Sequence, residues 1–180
     1  LHTDNGNPSI IAENLEPSEE ITKTLVETLS DGAVLSFGLE SADPNVHEAN
    51  WLNCDSTQLK SAISLINKYG RSRGERGLPK LLPGLNFIAG LNGETKQTYQ
   101  MNLDLLNEIR GENLLLRRIN IRQVEGEGFQ DIPQEQFLNF KNAVRETIDK
   151  PLLLELFPLG SKLCNVHWEA HDGRTRLAKH

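Results

Sequence analysis

GLNFIAGLNGET, residues Gly84 to Thr95, reads as a short apolar strand, a glycine-bounded turn and the first residues of a helix. Asn86 stands in the middle of that strand. A strand covered by helices on both faces takes Val, Ile or Leu at nearly every position, and a buried amide without partners costs about 1–3 kcal/mol. Side chains alternate along a strand, so Leu85, Phe87 and Ala89 share one face while Asn86, Ile88 and Gly90 share the other. AVLSFGLES (Ala33 to Ser41) divides the same way, with Leu35, Phe37 and Leu39 opposite Ser36, Gly38 and Glu40. In LLLRRINIRQ (Leu114 to Gln123), Arg117, Ile119 and Ile121 oppose Arg118, Asn120 and Arg122. Arg117 falls near the strand start, where a long side chain reaches solvent. An apolar face backed by a polar or glycine-containing one predicts a barrel or partial barrel with a polar lumen, where ligand or water supplies the partners. The competing reading is a sheet with one solvated face. Ligands sit at the carboxyl ends of such strands, which favours Glu40 and the Gly90–Glu94 turn.

Working outward, strand-like and helix-like segments alternate. Leu1-His2-Thr3-Asp4 reads as a first strand, followed by a loop over Asn5-Gly6-Asn7-Pro8. Pro17-Ser18-Glu19-Glu20 opens a helix with acids in its first turn, and Ile21, Leu25 and Leu29 follow at helical spacing. Asp55-Ser56-Thr57-Gln58 resembles a helix cap before the stripe Leu59, Ala62, Ile63, Ile66, with Gly70 to end the helix. A helix from about Glu94 buries Tyr99, Leu103 and Leu106. Pro133 opens another, carrying Phe137, Phe140, Val144 and Ile148. LLLELF (Leu152 to Phe157) reads as a last strand and the remainder as irregular. Strands separated by amphipathic helices give an α/β fold with a parallel sheet. Residues 1–125 hold the β/α repeats, and residues 126–180 hold a helix, a C-terminal strand and an irregular tail.

The chain has 180 residues, 37% hydrophobic and 24% charged, which suits one soluble globular domain. A net charge of −6 argues against a large nucleic-acid footprint. No apolar run reaches membrane-spanning length and no signal peptide is visible. Two cysteines, Cys54 and Cys164, are too few for a disulfide framework, so a reducing cytoplasm is expected. The chain begins at Leu1 and its only methionine is Met101, so it reads as a piece of a longer polypeptide.

Several shorter patterns carry less. Gly90-Leu91-Asn92-Gly93-Glu94-Thr95 lacks the Gly-Lys-Ser/Thr ending of a nucleotide phosphate loop and reads as a tight strand-to-helix turn. Cys164-x2-His167-x3-His171 has metal-ligand spacing, but on an extended segment His167, Glu169 and His171 face one way and Cys164 the other. No metal ligand set is assigned in this chain. Cys54 precedes a helix N-terminus, which favours a thiolate, yet no general base accompanies it. Arg71-Ser72-Arg73-Gly74-Glu75-Arg76 reads as a solvated basic connection.

The four segments LHTDNGNP, SFGLES with Ala42-Asp43-Pro44, GLNFIAGLNGET and LLLRRINIRQ resemble, in order, the third to sixth barrel strands of the radical S-adenosylmethionine (radical SAM) superfamily. The likeness covers about Leu1 to Val124, and the chain is most similar to the archaeal group that carries a C-terminal helix-hairpin-helix. The resemblance implies a six-fold β/α partial barrel holding a [4Fe–4S] cluster and S-adenosylmethionine. In that family the cluster reduces the sulfonium, giving methionine and a 5′-deoxyadenosyl radical that takes hydrogen from a substrate. The resemblance places cofactor contacts on Asn5, Glu40 and Asn86, the last as a ribose contact through its amide oxygen, and adenine packing on Ile88. Arg118, Asn120 and Arg122 fall on the substrate side, able to hold an anionic group. Asn92 stands where the family often has proline. The CxxxCxxC cluster loop and the Gly-Gly-Glu motif of the second strand are missing, and no arginine near Leu52 matches the family's methionine-carboxylate contact. The expectation is therefore the C-terminal part of the barrel, inactive alone. The parent protein would supply the cluster ligands and take an electron donor and a small-molecule substrate as partners. Two other readings stay open: a cluster-independent β/α-barrel enzyme acting on a small anionic substrate, and a non-catalytic interaction module.

Overall fold

The computed structural model describes residues 3–124, 126, 129, 132–162 and 164, and the backbone of residues 167–172 and 175–179. Among these residues, β1 (Asn5–Gly6), β2 (Ala33–Glu40), β3 (Leu81–Ala89) and β4 (Arg118–Gln123) form a parallel sheet in the order β1-β2-β3-β4. The connections carry α1 (Pro8–Glu13), α2 (Leu15–Thr28), α3 (Pro44–Asn50), α4 (Ser56–Gly70) and α5 (Lys96–Gly111). After β4, α6 (Gln134–Val144) runs through a π turn (Arg145–Asp149) into α7 (Lys150–Leu156). A separate antiparallel pair, β5 (His167–Asp172) and β6 (Thr175–Lys179), follows.

The strand order decides between an open sheet and a barrel. Crossovers between parallel strands are right-handed, so a sheet whose strands follow one another in chain order places every crossover helix on one face. A doubly wound sheet reverses its order and is covered on both sides; this one does not reverse. Burial follows the same division. Along β2, Leu35, Phe37 and Leu39 are buried while Ser36, Gly38 and Glu40 are half-buried. Along β3, Leu85, Phe87 and Ala89 are buried, and Asn86 and Ile88 are half-buried. The covered face packs on Leu59, Ile63 and Ile66 of α4, Leu106 and Ile109 of α5, and Phe140 and Val144 of α6. Phe87 meets Phe140 edge-on at 6.0 Å between centroids, and Tyr99 lies 5.3 Å from the same ring. The fold is a partial β/α barrel segment with its inner face uncovered.

Side-chain caps fix where several of the helices start. Asn7 accepts from the Ser9 and Ile10 amides ahead of Pro8. Asp55 and Gln58 form a capping box at α4, and Thr95 and Thr98 another at α5. Gly70 closes α4 for a steric reason: a Cβ there would overlap the Leu81 carbonyl oxygen, so helix and strand backbones touch.

Several expectations are corrected. The first strand lies at Asn5–Gly6, the start of the expected loop; Leu1 and His2 lie outside the described residues. The helix placed at Pro17 begins at Leu15 and is preceded by α1. Ile21 is 60% exposed, and α2 buries Ser18 and Thr22 instead. LLLELF is helical, because Leu152 and Leu156 are buried one turn apart while Leu153 and Leu154 face outward; an unbroken apolar run has no periodicity to separate helix from strand. The tail read as irregular contains the β5–β6 hairpin. The side chains of His167 and His171 lie outside the described residues, so the metal-spacing motif is not addressed by the structure.

Candidate functional site

Parallel register stacks the polar residues into rows across the open face. Asn5 lies beside Ser36, Ser36 beside Gly84, and Gly84 beside Arg118. The next row is Gly38, Asn86 and Asn120, and beyond it Ile88 pairs with Arg122. The sequence-identified positions Asn5, Asn86, Ile88, Arg118, Asn120 and Arg122 therefore share one surface. Asn5, Arg118 and Arg122 are exposed at its margins, and Asn86, Asn120 and Ile88 are half-buried toward its centre. Asn120 Nδ2 donates to Asn86 Oδ1 at 2.8 Å. That pairing changes the expected role of Asn86: its oxygen already accepts one bond, which leaves a second lone pair and both amide protons for a ligand.

Glu40 is the strained member. The register slips between Gly38 and Glu40, and Glu40 adopts a left-handed backbone with φ 68°, a conformation that costs a non-glycine residue about 1–2 kcal/mol. Its side chain folds back over Gly38, where a Cβ would lie 2.5 Å from Glu40 Oε1. Glycine is needed to seat the carboxylate there, one strand spacing from Asn86. Glu40 Oε2 is buried with no hydrogen-bond partner among the described residues. Burial pushes the Glu40 carboxyl above its usual range, and the positive charge of Arg122 opposes that shift. A cavity of about 270 Å³ opens beside it, lined by Gly6, Asn7, Gly38, Trp51, Asn53 and Cys54 among others. Trp51, also left-handed at φ 56°, stands almost fully exposed at this cavity. Backbone strain, an unpartnered acid and a cavity coincide at the carboxyl end of β2, where β/α folds place their ligands.

A buried polar scaffold holds these strand ends, and the Gly90–Glu94 turn, expected at a ligand position, belongs to it through Glu94. Glu94 Oε2 accepts from the Gly90 amide at 2.9 Å and from the Tyr99 hydroxyl at 2.8 Å, closing the turn after β3. Asp43 caps α3 and accepts from the Thr98 hydroxyl at 2.6 Å, and Asn102 Oδ1 accepts from the Ala42 amide at 2.6 Å. The legible signal was an acid, Glu94, just after a glycine turn and before a helix. Asn92 also finds its reason: its amide donates to Asn50 Oδ1 at 3.1 Å, and its carbonyl accepts from Asn50 Nδ2 at 2.8 Å. The position needs an N–H, which proline lacks.

Other candidates resolve as structural. Cys54 is buried and its thiol is pushed up to about 12, chiefly by burial and then by the Asp55 charge; desolvation outweighs the helix N-terminus, which favours a thiolate. Within the basic loop, Arg73 donates to the Gly77 and Leu156 carbonyls, stapling the β2–β3 connection to the end of α7. His47 bonds the Ser41 carbonyl. Arg117 lies half-buried over the Phe157 ring at 5.5 Å. Among the described residues, no group of three His, Cys, Asp or Glu side chains is placed to hold a metal ion, and no helix is long and apolar enough to cross a membrane.

Fold and site together define a segment of a parallel β/α partial barrel with a polar inner surface. No family model matches the chain. It is 44% identical to an uncharacterized protein of Archaeoglobus fulgidus over 189 aligned positions, covering 99% of this chain and 36% of the relative. It is 40% identical to an uncharacterized protein of Methanocaldococcus jannaschii, covering 96% of this chain and 34% of that one. The chain thus spans about a third of the length of the curated relatives it matches. Among solved structures it is similar to the coproporphyrinogen III oxidase of Escherichia coli, titled a radical SAM enzyme. The TM-score is 0.49 at 10% identity, over 83% of this chain and 32% of that one.

Proposed function

We propose that the chain is the nucleoside-binding part of a radical SAM iron–sulfur enzyme. The observation that carries this reading is Glu40, a strained, half-buried acid whose Oε2 lacks a partner among the described residues and whose carboxylate folds back over Gly38, the register partner of Asn86. A vicinal diol supplies the two donors that such a carboxylate and amide can accept. In this reading Glu40 and Asn86 hold the ribose of S-adenosylmethionine, Ile88 packs on its adenine, and Asn5 borders the site from β1. Gly38 leaves room for the carboxylate, and the Glu94 and Asp43 hydrogen bonds keep the strand ends from shifting when the ligand enters. When bound and reduced, S-adenosylmethionine supplies a one-electron cleavage at its sulfonium; the protein positions and shields it. Arg118, Asn120 and Arg122 line the side left for the substrate.

The residues present suit the nucleoside and not the cluster. Cys54 is buried with a raised pKa and Cys164 is exposed, and two cysteines cannot make up a three-cysteine cluster loop. The test is anaerobic iron–sulfur reconstitution of the longer Archaeoglobus fulgidus relative with S-adenosylmethionine and dithionite. The expected product is 5′-deoxyadenosine, lost when the residue aligned with Glu40 is changed to Gln. Reconstituted protein that yields no 5′-deoxyadenosine overturns the reading. A second reading, a cluster-independent enzyme on a small anionic substrate, is favoured by one observation: Arg118 and Arg122 are exposed on the same face without a salt bridge among the described residues.

A further inference from the structure

The outer side of β4 is built to receive another strand. Among the described residues β4 pairs with β3 alone, and an edge strand presents a row of unpaired N–H and C=O groups. A groove of about 640 Å³ runs along this edge, between β4 and the α6–π–α7 segment. Leu116, Arg117, Arg118 and Ile119 all line it. Arg118 and Ile119 are consecutive residues of β4 with opposite parity, and Leu116 and Arg117 lead into the strand, so the groove meets its backbone edge; one face would contribute only alternate residues. The floor is Ile119 and Ile121, both only partly buried, and the far wall is Leu138 and Leu153, which are 45% and 50% exposed. In a right-handed β/α progression the helix after one strand covers the space beside it where the next strand lies. Here that helical segment, interrupted by its π turn, roofs a space that no described strand fills.

The rim specifies the occupant's chemistry. Arg117, Arg118, Lys141 and Arg145 border the groove against Asp149 as its acid, together with Lys150, which is paired to Glu146 at 2.6 Å, in a chain whose net charge is −6. The source is specified by length: relatives 44% and 40% identical to this chain extend about three times as far. We propose that the β4 edge is the docking site for an additional strand from the same longer polypeptide. That strand lies outside these 180 residues, alternates apolar with other side chains, and carries acidic residues to meet the rim. Its apolar side chains enter between Ile119, Ile121 and Leu153; its backbone extends the sheet by β-augmentation.

The test tiles the rest of the Archaeoglobus fulgidus relative into twelve-residue peptides and titrates each into this chain by fluorescence anisotropy. Hydrogen exchange of the β4 amides is followed in parallel. One acidic, alternating tile is expected to bind and to slow β4 exchange. Leu153→Asp, at an exposed groove position, is expected to weaken binding at least tenfold. Leu154→Asp, on the neighbouring residue that does not line the groove, is expected to leave it within about twofold. Three results overturn the proposal: no tile binds, the bound tile ignores Leu153→Asp, or the chain dimerises through β4 with mutual protection. The last would make a second copy the occupant.

Discussion

Replacing Glu40 by Gln removes a charge and keeps the shape, and the structure fixes the sign of the effect. Glu40 Oε2 is buried without a partner among the described residues, and the carboxyl is held above its usual range by burial. A folded-state pKa above the unfolded value means that the native state binds more protons in the intervening window, so stability falls as pH rises through it. Below the unfolded value near ~4.3 the group is neutral in both states and the penalty vanishes. Above the folded value the penalty is complete. An unsatisfied buried polar atom costs about 1–3 kcal/mol and a charged one more, so Gln, which keeps a polar atom there, removes only the excess that the charge adds. The lower end applies, because Arg122 opposes the shift and solvent screens a half-buried group. Glu40→Gln is therefore expected to stabilise the ligand-free chain by about 1 kcal/mol at pH 7.5, raising Tm by roughly 2–4 °C for a domain of this size. At pH 4 the gain should shrink toward zero. Differential scanning calorimetry of both proteins at the two pH values measures this directly. A variant no more stable than the parent at pH 7.5, or equally stabilised at both pH values, would refute the reasoning about Glu40.

Two further outcomes follow from the scaffold around the site. Asn92→Pro removes the N–H that donates to Asn50 and should cost about 1 kcal/mol. Asn50→Ala should cost a comparable amount, and the double variant should cost less than the sum, read by urea denaturation. Cys54, buried with its thiol pushed up to about 12, should resist Ellman's reagent at pH 8 in the folded chain, while exposed Cys164 reacts at once. Two thiols reacting at the same fast rate would contradict the described packing of Cys54.

What the sequence made legible was the face division of the strands. Leu35, Phe37 and Leu39 opposite Ser36, Gly38 and Glu40 were separable because a period of two is unambiguous once flanked by glycine and helix caps. The stripe Leu59, Ala62, Ile63, Ile66 was legible for the same kind of reason, and all four are fully buried. Leu152–Phe157 was not, since six residues almost all apolar carry no period. The site was legible as a set of positions and illegible as a geometry. Sequence placed Asn86 and Asn120 on inward faces, but only the register brings their amides to 2.8 Å. The left-handed turn at Glu40 had no local signature, because glycine, the residue that announces such a backbone, stands two positions earlier at Gly38. Asn92 looked like a departure in the turn until Asn50, distant in sequence, supplied its partner.

The central claim is that the open face around Glu40 and Asn86 holds a nucleoside. Isothermal titration of adenosine into the chain, repeated with Glu40→Gln, Asn86→Ala and the control Lys60→Ala, tests it most directly. Lys60 lies on α4, paired with Glu108 and Glu112 away from the site. The expected result is saturable one-to-one binding that is lost at least tenfold in the Glu40 and Asn86 variants and unchanged in the Lys60 variant. Binding that all three variants leave unaltered, or no binding at millimolar adenosine, would contradict the claim.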